Sequence, residues 1–201
     1  MIFGAVGTID DMYSGGIRGN GKTLTATYYA YRDYQQGRKV LTNYQTTFSK
    51  MMTTKQMVDY IFESELKNIT VVIDEIQVIL NSIGTKGTVL KFVEQLLNQS
   101  RKRNVDIWYT TQRYLNVHVR LRQQTDVLLE PYKLDVIPIP GTKKYKIDTS
   151  HICTIDSCDK HHLIVVKSKV PFVVKPITML KAWKVGNLYD TNEIINENII
   201  L

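Results

Sequence analysis

Hydrophobic positions over the first 115 residues switch between helical and strand spacing, and the switches predict alternating helices and strands. Thr23 to Gln36 places Leu24, Tyr28 and Tyr31 on one stripe and stops at Gly37, which reads as a helix. Arg38 to Tyr44 reads as a strand. Thr53 or Thr54 caps a helix running to about Leu66, with Met57, Ile61 and Phe62 inward. Ile69 to Asp74 is a buried strand ending in acid. Ser82 to Thr88, holding Gly84, Lys86 and Gly87, reads as a flexible loop. Val89 to Arg103 is a strong helix with Leu90, Val93, Leu96 and Leu97 as its buried stripe, and Val105 to Thr111 is the next strand. Such alternation is the pattern of an α/β fold, a mainly parallel central sheet flanked by helices. The first strand is the hardest to place. Met1 to Val6 is apolar but far from the first helix, so a short strand near Asp11 to Ser14 is expected instead.

Beyond Arg120 the texture changes to short β-type runs: Val127 to Leu129, Leu134 to Ile139, Tyr145 to Ile147, Leu163 to Val166 and Phe172 to Val174. Pro138 to Thr142 reads as a turn between two of these runs. Antiparallel β additions in the carboxy-terminal half are therefore expected. At 201 residues the chain is long enough for one domain, with a core of about 1–130 and a β-rich extension of about 131–201.

The chemistry begins at Gly16-Ile17-Arg18-Gly19-Asn20-Gly21-Lys22-Thr23, a complete G-x-x-x-x-G-K-[ST] loop opening the first helix. Backbone N–H groups of such a loop cradle phosphates, and the helix dipole favours an anion there. Gly16, Gly19 and Gly21 let the backbone approach without a Cβ in the way. With Leu24, this segment is the expected ATP-binding set. Lys22 is expected at the β/γ-phosphates, and the Thr23 hydroxyl on Mg2+. Arg18 either adds a phosphate contact or faces solvent.

Val71-Val72-Ile73-Asp74-Glu75 supplies the second half. Asp74 is expected to hold the metal directly or through water, and Glu75 to orient and deprotonate an attacking water. The plainer reading of Glu75 is a solvated acid opening a helix. Ile107 to Arg113 ends in Thr-Thr-Gln-Arg. If this strand lies beside the loop's strand, Gln112 points at the γ-phosphate; otherwise it is a polar strand end. Arg101, Lys102 and Arg103 complement a helix dipole, or else Arg101 or Arg103 is a finger reaching a neighbouring subunit's nucleotide.

Charge and cysteine usage add less. The net charge of +7 and pI of about 9.3 suit a polyanionic partner, although many basic proteins of this size bind none. No apolar run approaches membrane-spanning length, so no stable membrane insertion is expected, and the chain is expected in cytoplasm. His151, Cys153, Cys158 and His161 form a cluster that reads as free thiols, as a disulfide, or as a structural Zn site.

Gly19 to Thr23, Val71 to Glu75 and Thr110 to Arg113, in this order and behind a basic helix end, resemble the HerA/FtsK superfamily of DNA-pumping ATPases. Within it, the small size and the loop's wording are similar to the genome-packaging ATPases of turreted icosahedral viruses infecting Sulfolobus. The resemblance covers roughly Gly15 to Arg113. It implies a RecA-like (ASCE) P-loop NTPase whose glutamine-bearing strand is inserted between the two motif strands. It also implies an ATP- and Mg2+-dependent motor that threads double-stranded DNA through a homo-oligomeric ring, a hexamer. Capsid or portal proteins would be its partners, in host cytoplasm and transiently at the procapsid vertex. A pore needs groups that grip phosphates without reading bases; Lys86, Arg120 and Arg122 are candidates, with Lys143, Lys144 and Lys146 as a further cluster. Leu188 to Glu193 resembles tails of assembly ATPases of filamentous phages, which keeps a nucleotide-gated virion assembly or secretion ATPase open. A small nucleoside or nucleotide kinase is the other enzyme reading. Against it, Asp74-Glu75 offers a water-activating acid, and the chain has no arginine-rich lid.

Overall fold

The β-strands and helices follow from burial on a sheet with two covered faces. The computed structural model describes residues 1–8, 21–82, 86–138, 140–141, 145–148, 162–170, 173–181 and 186–188. Its strands are β1 (Ile2–Thr8), β2 (Lys39–Thr42), β3 (Lys50–Met51), β4 (Ile69–Ile73), β5 (Val105–Arg113), β6 (Val127–Pro138), β7 (Tyr145–Asp148), β8 (His162–Val170) and β9 (Val173–Lys181). Its α-helices are α1 (Lys22–Gln35), α2 (Thr54–Glu63), α3 (Ile76–Ser82), α4 (Lys86–Lys102) and α5 (Val119–Gln123).

The sheet order is β3-β2-β4-β5-β1-β6-β8-β9, with β7 paired to β6. Every pairing from β3 through β6 is parallel. The β6–β7, β6–β8 and β8–β9 pairings are antiparallel. Strand β6 thus belongs to both kinds of ladder, parallel to β1 at Val127–Leu129 and antiparallel to β8 over Leu128–Asp135. The expected α/β architecture with antiparallel additions is what the chain forms. So is the inserted strand: β5 lies between β1 and β4.

Side-chain alternation divides the core. Val71 and Ile73 of β4, with Ile107 and Tyr109 of β5, join Met57, Ile61, Phe92, Val93 and Leu96 under α2 and α4. Val72 and Trp108 turn to the other face and meet Leu24, Ala26 and Ala30 of α1. There Trp108 is sandwiched between Phe3 (ring centroids 4.2 Å apart) and Tyr29 (4.9 Å), both rings nearly parallel to its own. Close packing at β1 relies on glycine: a Cβ on Gly4 would lie 2.6 Å from the Tyr109 ring, and one on Gly7 would lie 2.5 Å from the Gln112 carbonyl oxygen.

Three expectations are corrected. The strand beside β5 is Ile2–Thr8 and not a segment near Asp11 to Ser14. Buried Ile2, Ala5 and Val6 make it a core strand, and its distance from the loop does not prevent that. Within the loop expected over Ser82 to Thr88, the described residues are helical: Ser82 closes α3, and Lys86, Gly87 and Thr88 form the first turn of α4, while 83–85 lie outside the described residues. Val127 to Leu129 and Leu134 to Ile139 are joined in one strand through Glu130 and Pro131, ending at Pro138. Pro131 falls between the pairings of β6 with β1 at Val127–Leu129 and with β7 at Asp135–Pro138, a stretch where that edge has no ladder partner among the described residues.

Candidate functional site

The carboxyl ends of β4 and β5, with the start of α1, bring the charged residues together. Gly21 precedes α1 at φ 93°, a left-handed conformation that suits glycine, and its carbonyl accepts from the Thr25 amide and hydroxyl. Lys22 and Thr23 follow in the first turn, Lys22 buried. Leu24 packs into the core under α1.

Asp74 follows the fully buried β4, and the β4–β5 register sets it beside Thr110. Its Oδ1 accepts from the Thr110 hydroxyl at 2.6 Å and from the Thr23 hydroxyl at 2.8 Å. Burial pushes the Asp74 carboxyl up to about 6; the Thr110 and Thr23 donors act against this, as does the Lys22 charge. Burial likewise pulls the Lys22 ammonium below its ordinary range, while Glu75 and Asp74 act to raise it. The site therefore holds a buried carboxylate and a buried ammonium, each desolvated.

The backbone around Asp74 is clamped by Asn43, just beyond β2. Asn43 Nδ2 donates to the Asp74 carbonyl at 2.9 Å, and its Oδ1 accepts from the Asp74 N–H at 2.7 Å. Glu75 adopts φ 50°, uncommon for a residue with a Cβ, and its N–H donates to Thr110 Oγ1 at 2.9 Å. Its side-chain Oε2 accepts from Gln77 Nε2. Sequence reading missed Asn43, Thr110 and Gln77. An asparagine after a strand reads as a turn residue. Thr110 was noted only as part of a polar strand end, and its partner emerges from the β4–β5 register.

The remaining predicted residues are scattered. Gln112 stands at the carboxyl end of β5, its backbone against Gly7 of β1, so the adjacency required for its expected role is present. Arg103 lies at the opposite edge of the sheet, paired with Glu65 at 3.0 Å. Arg120 is ion-paired with Glu94 on α4. The Arg122 guanidinium sits 5.8 Å from the Tyr114 ring centroid. Lys86 is exposed at the first residue of α4. Gly16, Ile17, Arg18, Gly19, Asn20, Lys143, Lys144, His151, Cys153, Cys158, His161 and residues 189–193 lie outside the described residues, as do the side chains of Arg101 and Lys146. Among the described residues no helix is long and apolar enough to cross a membrane.

The same fold is seen in a solved structure. The N-terminal domain of zonular occludens toxin from Neisseria meningitidis matches at 17% identity and a TM-score of 0.53, covering 94% of this chain and 98% of that one. The conjugation coupling protein TcpA of pCW3, in a monomer form with ATPγS, matches at 15% identity and a TM-score of 0.46. That match covers 64% of this chain and 48% of the coupling protein, so the chain spans about half of TcpA's length. The flagellar accessory protein FlaH from Methanocaldococcus jannaschii matches at 12% identity and a TM-score of 0.42, covering 87% and 88%. No curated protein matches in sequence. With β5 between the two motif strands, the fold is that of RecA-like P-loop proteins. The model of the family "Zonular occludens toxin (Zot)" matches residues 12–177, and the chain belongs to that family.

Proposed function

We propose that this chain hydrolyses ATP to move double-stranded DNA, in the setting of virus particle production. The observation that supports it most directly is the convergence of Lys22, Thr23, Asp74, Glu75 and Thr110 at one edge of the sheet. Thr23 Oγ1 and Asp74 Oδ1 are hard oxygen donors 2.8 Å apart, and a carboxylate desolvated by burial gains from a dication that offsets its charge; the pair fits Mg2+. When bound, Mg2+ neutralises charge developing on the phosphates. Lys22 is a point charge for the β/γ-phosphates, and its desolvation strengthens that attraction. Thr110 holds Asp74 and the backbone of Glu75 in fixed relation. Glu75 accepts the proton of the attacking water, and Gln112 faces the γ-phosphate from the strand next to β1. An arginine from a neighbouring subunit in a ring completes the site, with Arg101 and Arg103 as the two candidates; Arg103 pairs with the exposed Glu65 at 3.0 Å, a contact a finger would have to release.

Genome packaging into a capsid is the first form of this reading. A second form, a nucleotide-gated virion assembly or secretion ATPase, is favoured by the Zot family match, which extends through residue 177 well beyond the motif-bearing half. Steady-state hydrolysis with and without double-stranded DNA, over a range of protein concentration and beside Glu75→Gln, separates them. Hydrolysis that rises with DNA and with concentration, and is lost in Glu75→Gln, is expected of the motor. Hydrolysis indifferent to DNA selects the assembly ATPase. Phosphate transfer to an added nucleoside or nucleotide without hydrolysis would mean a kinase and overturn both.

A further inference from the structure

Gln77 is the polar side chain beside the carboxylates that none of these roles uses. Its Nε2 donates to Glu75 Oε2, and its Oε1 is buried without a partner among the described residues. The amide orientation follows from that contact, because a carbonyl oxygen turned to a carboxylate would repel it. Residues two apart on a regular helix do not face each other. These two meet because Glu75 is at φ 50° and turns the chain from β4 into α3, so its side chain folds back along the first turn. The turn is held from the other side by Thr110, which accepts the Glu75 N–H at 2.9 Å. A strained backbone, a buried amide with an unused acceptor, and a carboxylate whose charge reaches Lys22 and Asp74 thus converge on one rotamer of Glu75.

We propose that Gln77 is a positioning residue that holds the Glu75 carboxylate in the orientation from which it accepts the water's proton. The inference rests on the reading of Glu75 as the base of an ATPase. A glutamate side chain left free samples several rotamers, and locking one raises the fraction of encounters in the reactive geometry. The amide N–H supplies that lock without taking the proton itself.

Gln77→Met keeps the length and bulk and removes the donor. The expected result is a fall in kcat of about tenfold with KM for ATP within about twofold, because the ground-state contacts to nucleotide are untouched. The thermal midpoint is expected to stay level or rise, since the variant also removes a buried carbonyl that lacks a partner. In a Glu75→Gln background, Gln77→Met is expected to lower the residual rate no further. Wild-type kcat in Gln77→Met, or a fall in kcat that tracks a lost thermal midpoint, would overturn the positioning role. An additional fall in the Glu75→Gln background would overturn it too. Binding of a fluorescent ATP analogue to the wild type is measured in the same series. A wild type that binds and hydrolyses ATP while the variant matches it overturns Gln77 alone. One that does neither overturns the ATPase reading, and the Gln77 role with it.

Discussion

The two edges of the parallel sheet are both polar, but they treat charge in opposite ways. At the amino edge, Arg38 donates to Asp106 at 2.6 Å and to the carbonyls of Asn104 (3.0 Å) and Ile69 (3.1 Å). The Met1 ammonium takes the other Asp106 oxygen at 2.7 Å. Asn68 and Asn104, at φ 51° and 54°, bridge the turns into β4 and β5 through their side chains at 2.9 Å. At the carboxyl edge, Asp74 receives the Thr110 and Thr23 hydroxyls, and burial disfavours the charged forms of both Asp74 and Lys22. The first edge closes its charges on one another and holds the strands in place. The second buries a carboxylate and an ammonium where desolvation works against both, a stability cost typical of functional sites.

Removing a cation from each edge tests the contrast. Lys22→Met is expected to lower ATP hydrolysis by about a hundredfold or more, measured as phosphate release, while unfolding free energy changes by no more than about 1 kcal/mol. Arg38→Met should do the reverse. Breaking this largely buried pair leaves Asp106 without its guanidinium and costs about 2–3 kcal/mol in urea unfolding, with kcat of the folded fraction unchanged. Equal stability losses for the two variants would erase the distinction between the edges. Asn43→Ala is intermediate, since Asn43 is a buried structural clamp inside the reactive edge: a loss of about 2 kcal/mol is expected, together with a reduced kcat, from two hydrogen bonds to the Asp74 backbone. A smaller stability loss than at Asn43 is expected for Thr110→Val, which keeps the shape and removes the hydroxyl. About 1 kcal/mol of stability is lost, with weaker Mg2+ dependence of hydrolysis in a metal titration, as Asp74 and Glu75 lose their common tether.

Much of this edge is legible in the amino-acid sequence, because its chemistry is local. Lys22 and Thr23 lie in one motif, and Asp74 and Glu75 terminate a strand whose every residue is buried. The α2 start is legible for the same reason: Thr53 caps it and Gln56 reaches back, a reciprocal pair three residues apart. What escapes is whatever depends on register. Thr110 meets Asp74 only because Ile73 pairs with Tyr109 across parallel strands, and Asn43 meets it because β2 flanks β4. Strand β1 escapes for another reason: its apolar residues Ile2, Ala5 and Val6 stand far along the chain from the loop it serves. In the extension, Glu130 and Pro131 interrupt the apolar pattern, so one long strand reads as two short ones.

Strand β6 carries a mechanical consequence. Its amino-terminal end is bonded to β1, the strand that leads toward the phosphate loop, and its other edge carries the whole β8–β9 hairpin. A load applied to that hairpin reaches β1 through a single intervening strand. That strand meets β1 at Phe3–Val127, Gly4–Leu128 and Ala5–Leu129, so force along the hairpin is borne first by this short ladder before it passes to β1 and β5.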